Sequence, residues 1–187
     1  MRKILYQTVD DRGNPEEVER QGPFMCGRYN AWLGTGYYFW DTFIELAHWW
    51  GHNGYHDNYM ICEASCDVND KIFDLVGNTD HIQILDKYSK LLKEKKPEQT
   101  ITVAFVIMHM CKYLQKEFPY KAIRACGINT INKGKLIEEN RLCFKSNCRA
   151  YLDLKPAIQI CIINKKEMGF TGYKIIYPNI YVQNQTI

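Results

Sequence analysis

Residues 41–56 gather many of the side chains in this chain that could do chemistry. Asp41, Glu45, His48 and His52 fall on one face of a helix, and His56 extends them to His-x3-His-x3-His. Two histidines four residues apart on a helix can grip a metal ion. Gly51 and Gly54 break the helix before His56, and histidines near a helix C-terminus are favoured by the dipole alone. No metal is therefore expected. The eight cysteines, at 26, 62, 66, 111, 126, 143, 148 and 161, lie mostly in apolar stretches. None forms a C-x-x-C pair, and Cys62 and Cys66 share a strand face too far apart to chelate easily. They are expected to be reduced and buried.

Trp49 is the second feature. With Asp41–Trp50 read as a helix, Phe43, Leu46, Ala47 and Trp50 form the buried stripe. Trp49 sits about 100° from Trp50, at or beyond the stripe's edge. A large aromatic there either packs on the rim or offers a platform to a planar ligand.

The elements that must position these residues are legible in outline. Lys3–Val9 reads as a strand, followed by a turn-rich break over Asp10–Pro15. Residues 16–35 read as a long irregular loop over a cleft, and Tyr37–Phe39 as a short strand. Asp41 or Thr42 is expected to cap the helix that Gly51 stops. Asn58–Val68 reads as a strand, and Asp80–Lys96 and Glu98–Phe118 as helices parted by Pro97. In the second helix Ile101, Ala104, Phe105, Met108, Cys111 and Leu114 are expected on one buried face. Tyr120–Asn129, Arg141–Lys145, Ala157–Asn164 and Tyr173–Ile176 read as strands. Strands early and late with helices between them give an α+β fold in one domain, residues 1–187.

The segment Gly34-Thr35-Gly36-Tyr37-Tyr38-Phe39-Trp40-Asp41, followed by Ala47-His48-Trp49, resembles the central motif of the diphtheria-toxin-like and poly(ADP-ribose)-polymerase-like ADP-ribosyltransferases. That motif reads G-x-G-x-Y-F, then A-x-aromatic. The resemblance implies a mixed or antiparallel split sheet with flanking helices around an NAD cleft. It implies that Gly34, Gly36, Phe39 and Ala47 shape that cleft. Tyr38 and Trp49 would stack on the two sides of the nicotinamide ring. The first-strand motif falls on Tyr6-Gln7-Thr8: Gln7 stands where the family's His meets a ribose hydroxyl, and Thr8 where a Gly holds the nicotinamide amide. The third motif falls within Ala157–Asn164, with Gln159 where polymerase-type members carry a catalytic Glu. The motif-bearing region spans residues 4–164.

By this resemblance NAD is the substrate, and Gln159, Tyr38 and Gln7 are the catalytic set. Transfer of a single ADP-ribose to a protein or nucleic acid is implied, since chain elongation needs the missing Glu. NAD hydrolysis on the same fold and a non-catalytic NAD- or ADP-ribose-binding module are the alternatives. Arg28 could meet the pyrophosphate, and Glu138 or Glu139 could supply the missing charge. The Arg-Ser-Glu branch fits worse, because Glu17-Val18-Glu19 comes too early. A small transferase of this kind resembles bacterial toxins of toxin–antitoxin or phage-defence systems, which implies a neutralising partner.

The bulk properties set the limits. A net charge of +3 permits nucleic-acid contact without demanding it. The densest basic stretch, Lys87–Lys96, reads as a solvated helix face. No apolar run reaches the roughly 20 residues of a membrane span. The N-terminal apolar stretch is too short for a signal peptide, so a cytoplasmic location is expected.

Overall fold

Leu5 to Val9 are buried on both sides of their strand, which makes β1 (Arg2–Asp10) a central strand. The computed structural model describes residues 1–127, 140–146 and 149–182. Among them the chain continues through α1 (Pro15–Gln21), β2 (Tyr37–Asp41), α2 (Ile44–Tyr55), β3 (Tyr59–Asp67) and β4 (Ile72–Asp74). Then come α3 (Thr79–Lys95), α4 (Val103–Tyr113), β5 (Ala122–Cys126), β6 (Arg141–Cys143), β7 (Tyr151–Asp153), β8 (Ile158–Ile162), β9 (Thr171–Tyr177) and α5 (Asn179–Val182). The fold is α+β. Seven strands form one mixed sheet in the order β4-β5-β8-β2-β1-β3-β9, and β6 and β7 form a separate pair. Only β4 and β5 run parallel; the other neighbours in the large sheet are antiparallel.

Period-two alternation divides the core. Leu5, Phe39, Met60, Cys62, Ile160, Ile162 and Ile175 fill one face beneath Val18 of α1 and Met168. On the other face Tyr6, Trp40 and Ile61 meet Leu46 and Ala47 of α2. Ile123 and Cys161 meet Val106, Ile107 and Met110 of α4 on that same side. The β3–β9 register slips between Glu63 and Ala64, so Tyr173 is the extra residue of a bulge.

Several expectations need correction. Residues 15–21 are helical, not loop: Pro15 starts the helix, and Glu16 and Glu17 suit its positive end. β4, β7 and α5 are short elements with too few residues to display a period. The α4 helix is shorter than expected, because the Thr102 hydroxyl caps it by accepting from the Phe105 N–H. Its buried face is Val106, Ile107 and Met110, and Met108 is exposed. Cys126 and Cys143 are exposed rather than buried.

The α2 helix departs most. Neither Asp41 nor Thr42 caps it; Phe43 holds the N-cap position without a side-chain bond. The helix runs through Gly51 and ends at His56, whose φ of 51° is left-handed. Leu46, Ala47 and Gly51 form its buried face, and Trp50 is 38% exposed. Gly51 lies on the Tyr59 ring so closely that an added Cβ would overlap it. Helix propensity alone would make Gly51→Ala stabilising by about 1 kcal/mol. The contact instead predicts a net loss of about 1–2 kcal/mol from overpacking. Thermal unfolding of the variant checks this; a raised midpoint would place α2 farther from β3.

Candidate functional site

The strand registers align one row of residues across the sheet: Glu63 with Tyr6, Tyr6 with Trp40, and Trp40 with Gln159. Residues opposite one another in a ladder point to the same face. Tyr6, Trp40 and Gln159 therefore share the face covered by α2. Tyr38, two residues before Trp40, and Thr8, two after Tyr6, lie on it as well. Trp49 reaches the row from α2, with its ring edge-on to Trp40 at 6.3 Å between centroids. Tyr6, Thr8, Tyr38, Trp49 and Gln159 thus lie on one side of the sheet.

Gln7 lies on the other side. It is 6% exposed and its amide is fully used. Nε2 donates to the carbonyls of Phe24 at 3.0 Å and Tyr38 at 3.2 Å. Oε1 accepts from the Phe24 N–H at 2.9 Å and the Tyr173 hydroxyl at 2.7 Å. Two donors and two acceptor sites are all that a glutamine amide has. Contact with a ribose would cost it one of these bonds. Phe39 also faces away from Tyr38, its ring 5.4 Å from that of Phe170.

The β1–β2 ladder pairs only Leu5 with Asp41 and Tyr6 with Trp40. Beyond Tyr6 the strands part, and the Gln7 side chain bridges the gap to the Tyr38 carbonyl. Thr8 stays paired with Ile61 of β3, and its hydroxyl donates to the Ala47 carbonyl at 2.8 Å. That bond fixes α2, and with it Trp49, over the strand.

The glycine motif is a closed loop. Gly34 has φ +89°, in glycine's own territory. The Tyr38 hydroxyl donates to the Gly34 carbonyl at 2.6 Å and accepts from the Leu33 N–H at 2.9 Å. Burial pushes the Tyr38 phenol far above its usual range, so it stays protonated. Gly36 admits no side chain: an added Cβ would stand 2.5 Å from Cys161 Sγ and 2.9 Å from the Ile162 carbonyl. Its bareness serves the approach of β8.

Gln159 is half-buried. Its Oε1 accepts from the Trp32 indole N–H at 2.8 Å, which leaves the two Nε2 hydrogens for another acceptor. Burial raises the Tyr6 phenol first, and the Glu63 carboxylate and Glu45 add to the rise. Glu63 stands three strand spacings from Gln159, about 14 Å, too far to serve the same atom. Glu45 is closer in connection. It accepts from Lys155 at 2.5 Å, and that bond first of all holds its carboxyl below the usual range. Glu138 and Glu139 lie outside the described residues. Arg28 is exposed; burial pushes the Tyr55 phenol up and Arg28 pulls it back.

Sequence reasoning missed Trp32, Phe24, Tyr173 and the Glu45–Lys155 pair. The parity of β1 did carry one signal: Gln7 alternates with Tyr6 and Thr8, so it could not share their face. The histidine face is also different in kind. His48 Nδ1 lies 2.9 Å from the Tyr59 hydroxyl and His52 bonds Asp57, and no metal-ligating cluster occurs among the described residues.

Behind β2 sits Asp41, 1% exposed. Lys3 Nζ donates to both its oxygens, at 2.8 and 2.9 Å, and Arg124 Nε to one at 2.8 Å. Burial alone would raise its pKa; the bonds from Lys3, Thr42 and Arg124 outweigh that and hold it down. The depressed carboxyl stabilises the fold above its unfolded pKa of about 4 and ceases to do so as the pH falls. Asp41→Asn should cost about 3–5 kcal/mol at neutral pH. It should also flatten the fall of stability below about pH 4. Urea unfolding across that range tests both, and an acid limb unchanged in the variant would remove Asp41 from the linkage. Comparisons with protein-family models, with curated proteins and with solved structures return no match to this chain.

Proposed function

We propose that the protein is an ADP-ribosyltransferase that uses NAD as donor and attaches one ADP-ribose to a macromolecular acceptor. The observation that carries this reading is the row of Tyr6, Trp40 and Gln159 on one sheet face, with Tyr38 beside it and Trp49 above it. The parting of β1 from β2 beyond Tyr6 supports it too, because a split in a sheet is where a ligand can enter.

The reaction breaks the bond between nicotinamide and ribose. Nicotinamide leaves with the electron pair, the ribose carbon becomes cationic, and a nucleophile of the acceptor closes on it and loses its proton to solvent. Trp49 and the Tyr38 ring would hold the nicotinamide. The free Nε2 hydrogens of Gln159 would bond a ribose hydroxyl. Neutral Gln159 cannot offset the developing charge; Glu45, ionised and held by Lys155, supplies it in this reading. Gln7 is a positioning residue, holding the Phe24 segment and the Tyr38 carbonyl. The absence of a Glu at position 159 favours one second reading, a module that binds NAD or ADP-ribose without turnover.

Incubation with NAD labelled in its adenylate half, with and without cell lysate, separates these readings. Nicotinamide release with label on a protein or nucleic acid is the expected result. Release without label would make the protein an NAD glycohydrolase, and no release with lysate present would leave the binding module. Trp49→Ala should abolish turnover in a variant that still folds, at a cost of about 1 kcal/mol of ring contact and the packing of a half-buried ring besides. Turnover near wild type in the folded variant would take Trp49 out of the site. Gln159→Ala should lower transfer more than NAD affinity; equal losses would confine Gln159 to binding.

A further inference from the structure

The basic stretch that ends α3 acquires a second half in three dimensions. Lys95 and Lys96 lie at the C-terminus of α3, and α4, which packs beside it, brings Lys112 in its last turn. His109 lies between two rings, Phe105 and Tyr113, that carry the Lys96 and Lys112 ammonium groups. Burial first, then Lys96, Lys112 and Lys95, hold that imidazole below its usual range, and among the described residues no carboxylate shifts it. Glu94 and Glu98 flank the lysines along the chain and bound the cluster.

Rings are interleaved with these charges. Lys96 Nζ lies 5.2 Å from the Phe105 ring centre and Lys112 Nζ 5.0 Å from that of Tyr113. The His109 ring is 4.4 Å from Tyr113 and 6.0 Å from Phe105, and the Tyr88 hydroxyl lies 2.9 Å from its Nδ1. Tyr113 is 60% exposed. Like charges gathered without a counter-ion repel one another, and a polyanion relieves that. An acidic segment would pair its carboxylates with the lysines, but its charged side chains have no planar face to lay on the rings. An unpaired base uses both, because it stacks on a ring while its phosphate meets an ammonium.

We propose that this face of α3 and α4 docks single-stranded nucleic acid, with phosphates on Lys95, Lys96 and Lys112 and bases on Tyr113 and the adjoining rings. The docking needs no NAD and stands apart from the transferase reading.

Fluorescence anisotropy with a labelled oligothymidylate of about 12 nucleotides tests it on the intact protein. Three phosphate contacts predict that log K falls against log salt with a slope of about −2. Replacing two of the lysines, Lys96→Gln with Lys112→Gln, should flatten the slope by about 1.4. Tyr113→Ala should weaken binding roughly tenfold and leave the slope unchanged. All three side chains are exposed or stand on an exposed turn, and far-UV circular dichroism verifies the fold of each variant. Wild-type affinity and slope in the double lysine variant would overturn the proposal. So would equal affinity for a duplex of the same length, or for labelled poly-glutamate, which would give the face to an acidic protein.

Discussion

A carboxylate shut away from water stays ionised only if other groups replace its hydration. Asp41 meets that demand with Lys3 of β1, the adjacent Thr42 and Arg124 of β5. Arg124 also turns Nη1 to both oxygens of Asp74 in β4, at 3.2 Å each. A guanidinium can serve two carboxylates in different directions, where an ammonium is a point charge. Four strands are thereby pinned from one atom cluster. A slip of one residue between β1 and β2 would swing Asp41 to the α2 face and carry Tyr38 and Trp40 the opposite way. Tyr6, Trp40 and Gln159 share a face because this pairing forbids the slip. The turn after Asp41 is set by the same cluster: Thr42 has φ +72°, uncommon for a β-branched residue, and its N–H is held by the Ile4 carbonyl at 3.0 Å.

The Gln7 amide performs the matching task on the other side of the sheet. It binds the backbone of Phe24, the carbonyl of Tyr38 and the hydroxyl of Tyr173, which come from three distant parts of the chain. Tyr173 is within reach because the β9 bulge gives it an extra place in the strand. The Tyr38 hydroxyl then closes the Gly34 loop from the opposite face. Tyr38 is thus held at both ends, its carbonyl by one side of the sheet and its hydroxyl by the other. A ring so fixed is a rigid wall.

Much of this was legible where a period ran long enough. β1, β3 and α3 follow their expected bounds within a residue or two, because β1 and β3 are long apolar runs between polar breaks, and Asn78 caps α3 while Pro97 follows its end. The α2 helix misled for a local reason. Gly51 reads as a stop, yet it is the one residue type that lets α2 lie on Tyr59. That contact comes from a strand eight residues later and leaves no local mark. Among the motif residues, Tyr38, Trp49 and Gln159 fall on one face. Gln7 and Phe39 do not, and strand parity, visible in the sequence, was enough to say so. The partners of Gln7 and Gln159 are tertiary, and no spacing rule reaches from Gln7 to Tyr173 or from Trp32 to Gln159.

The order of the sheet has a consequence for how the chain can mature. Its two halves, β1-β2-β3 and β4-β5, are joined in backbone pairing through β8, and β3 remains an open edge until β9 covers it. Both strands are late in the sequence. A nascent chain that has extended only to residue 126 therefore offers unpaired backbone along β2, β3 and β5 at once, each a template for another chain. Long-range closure of this kind is slow relative to helix formation. β2, β3 and β5 find their partners only when β8 has joined the halves and β9 has paired with β3, so the interval in which they stand open is set by translation of the segment that follows β5.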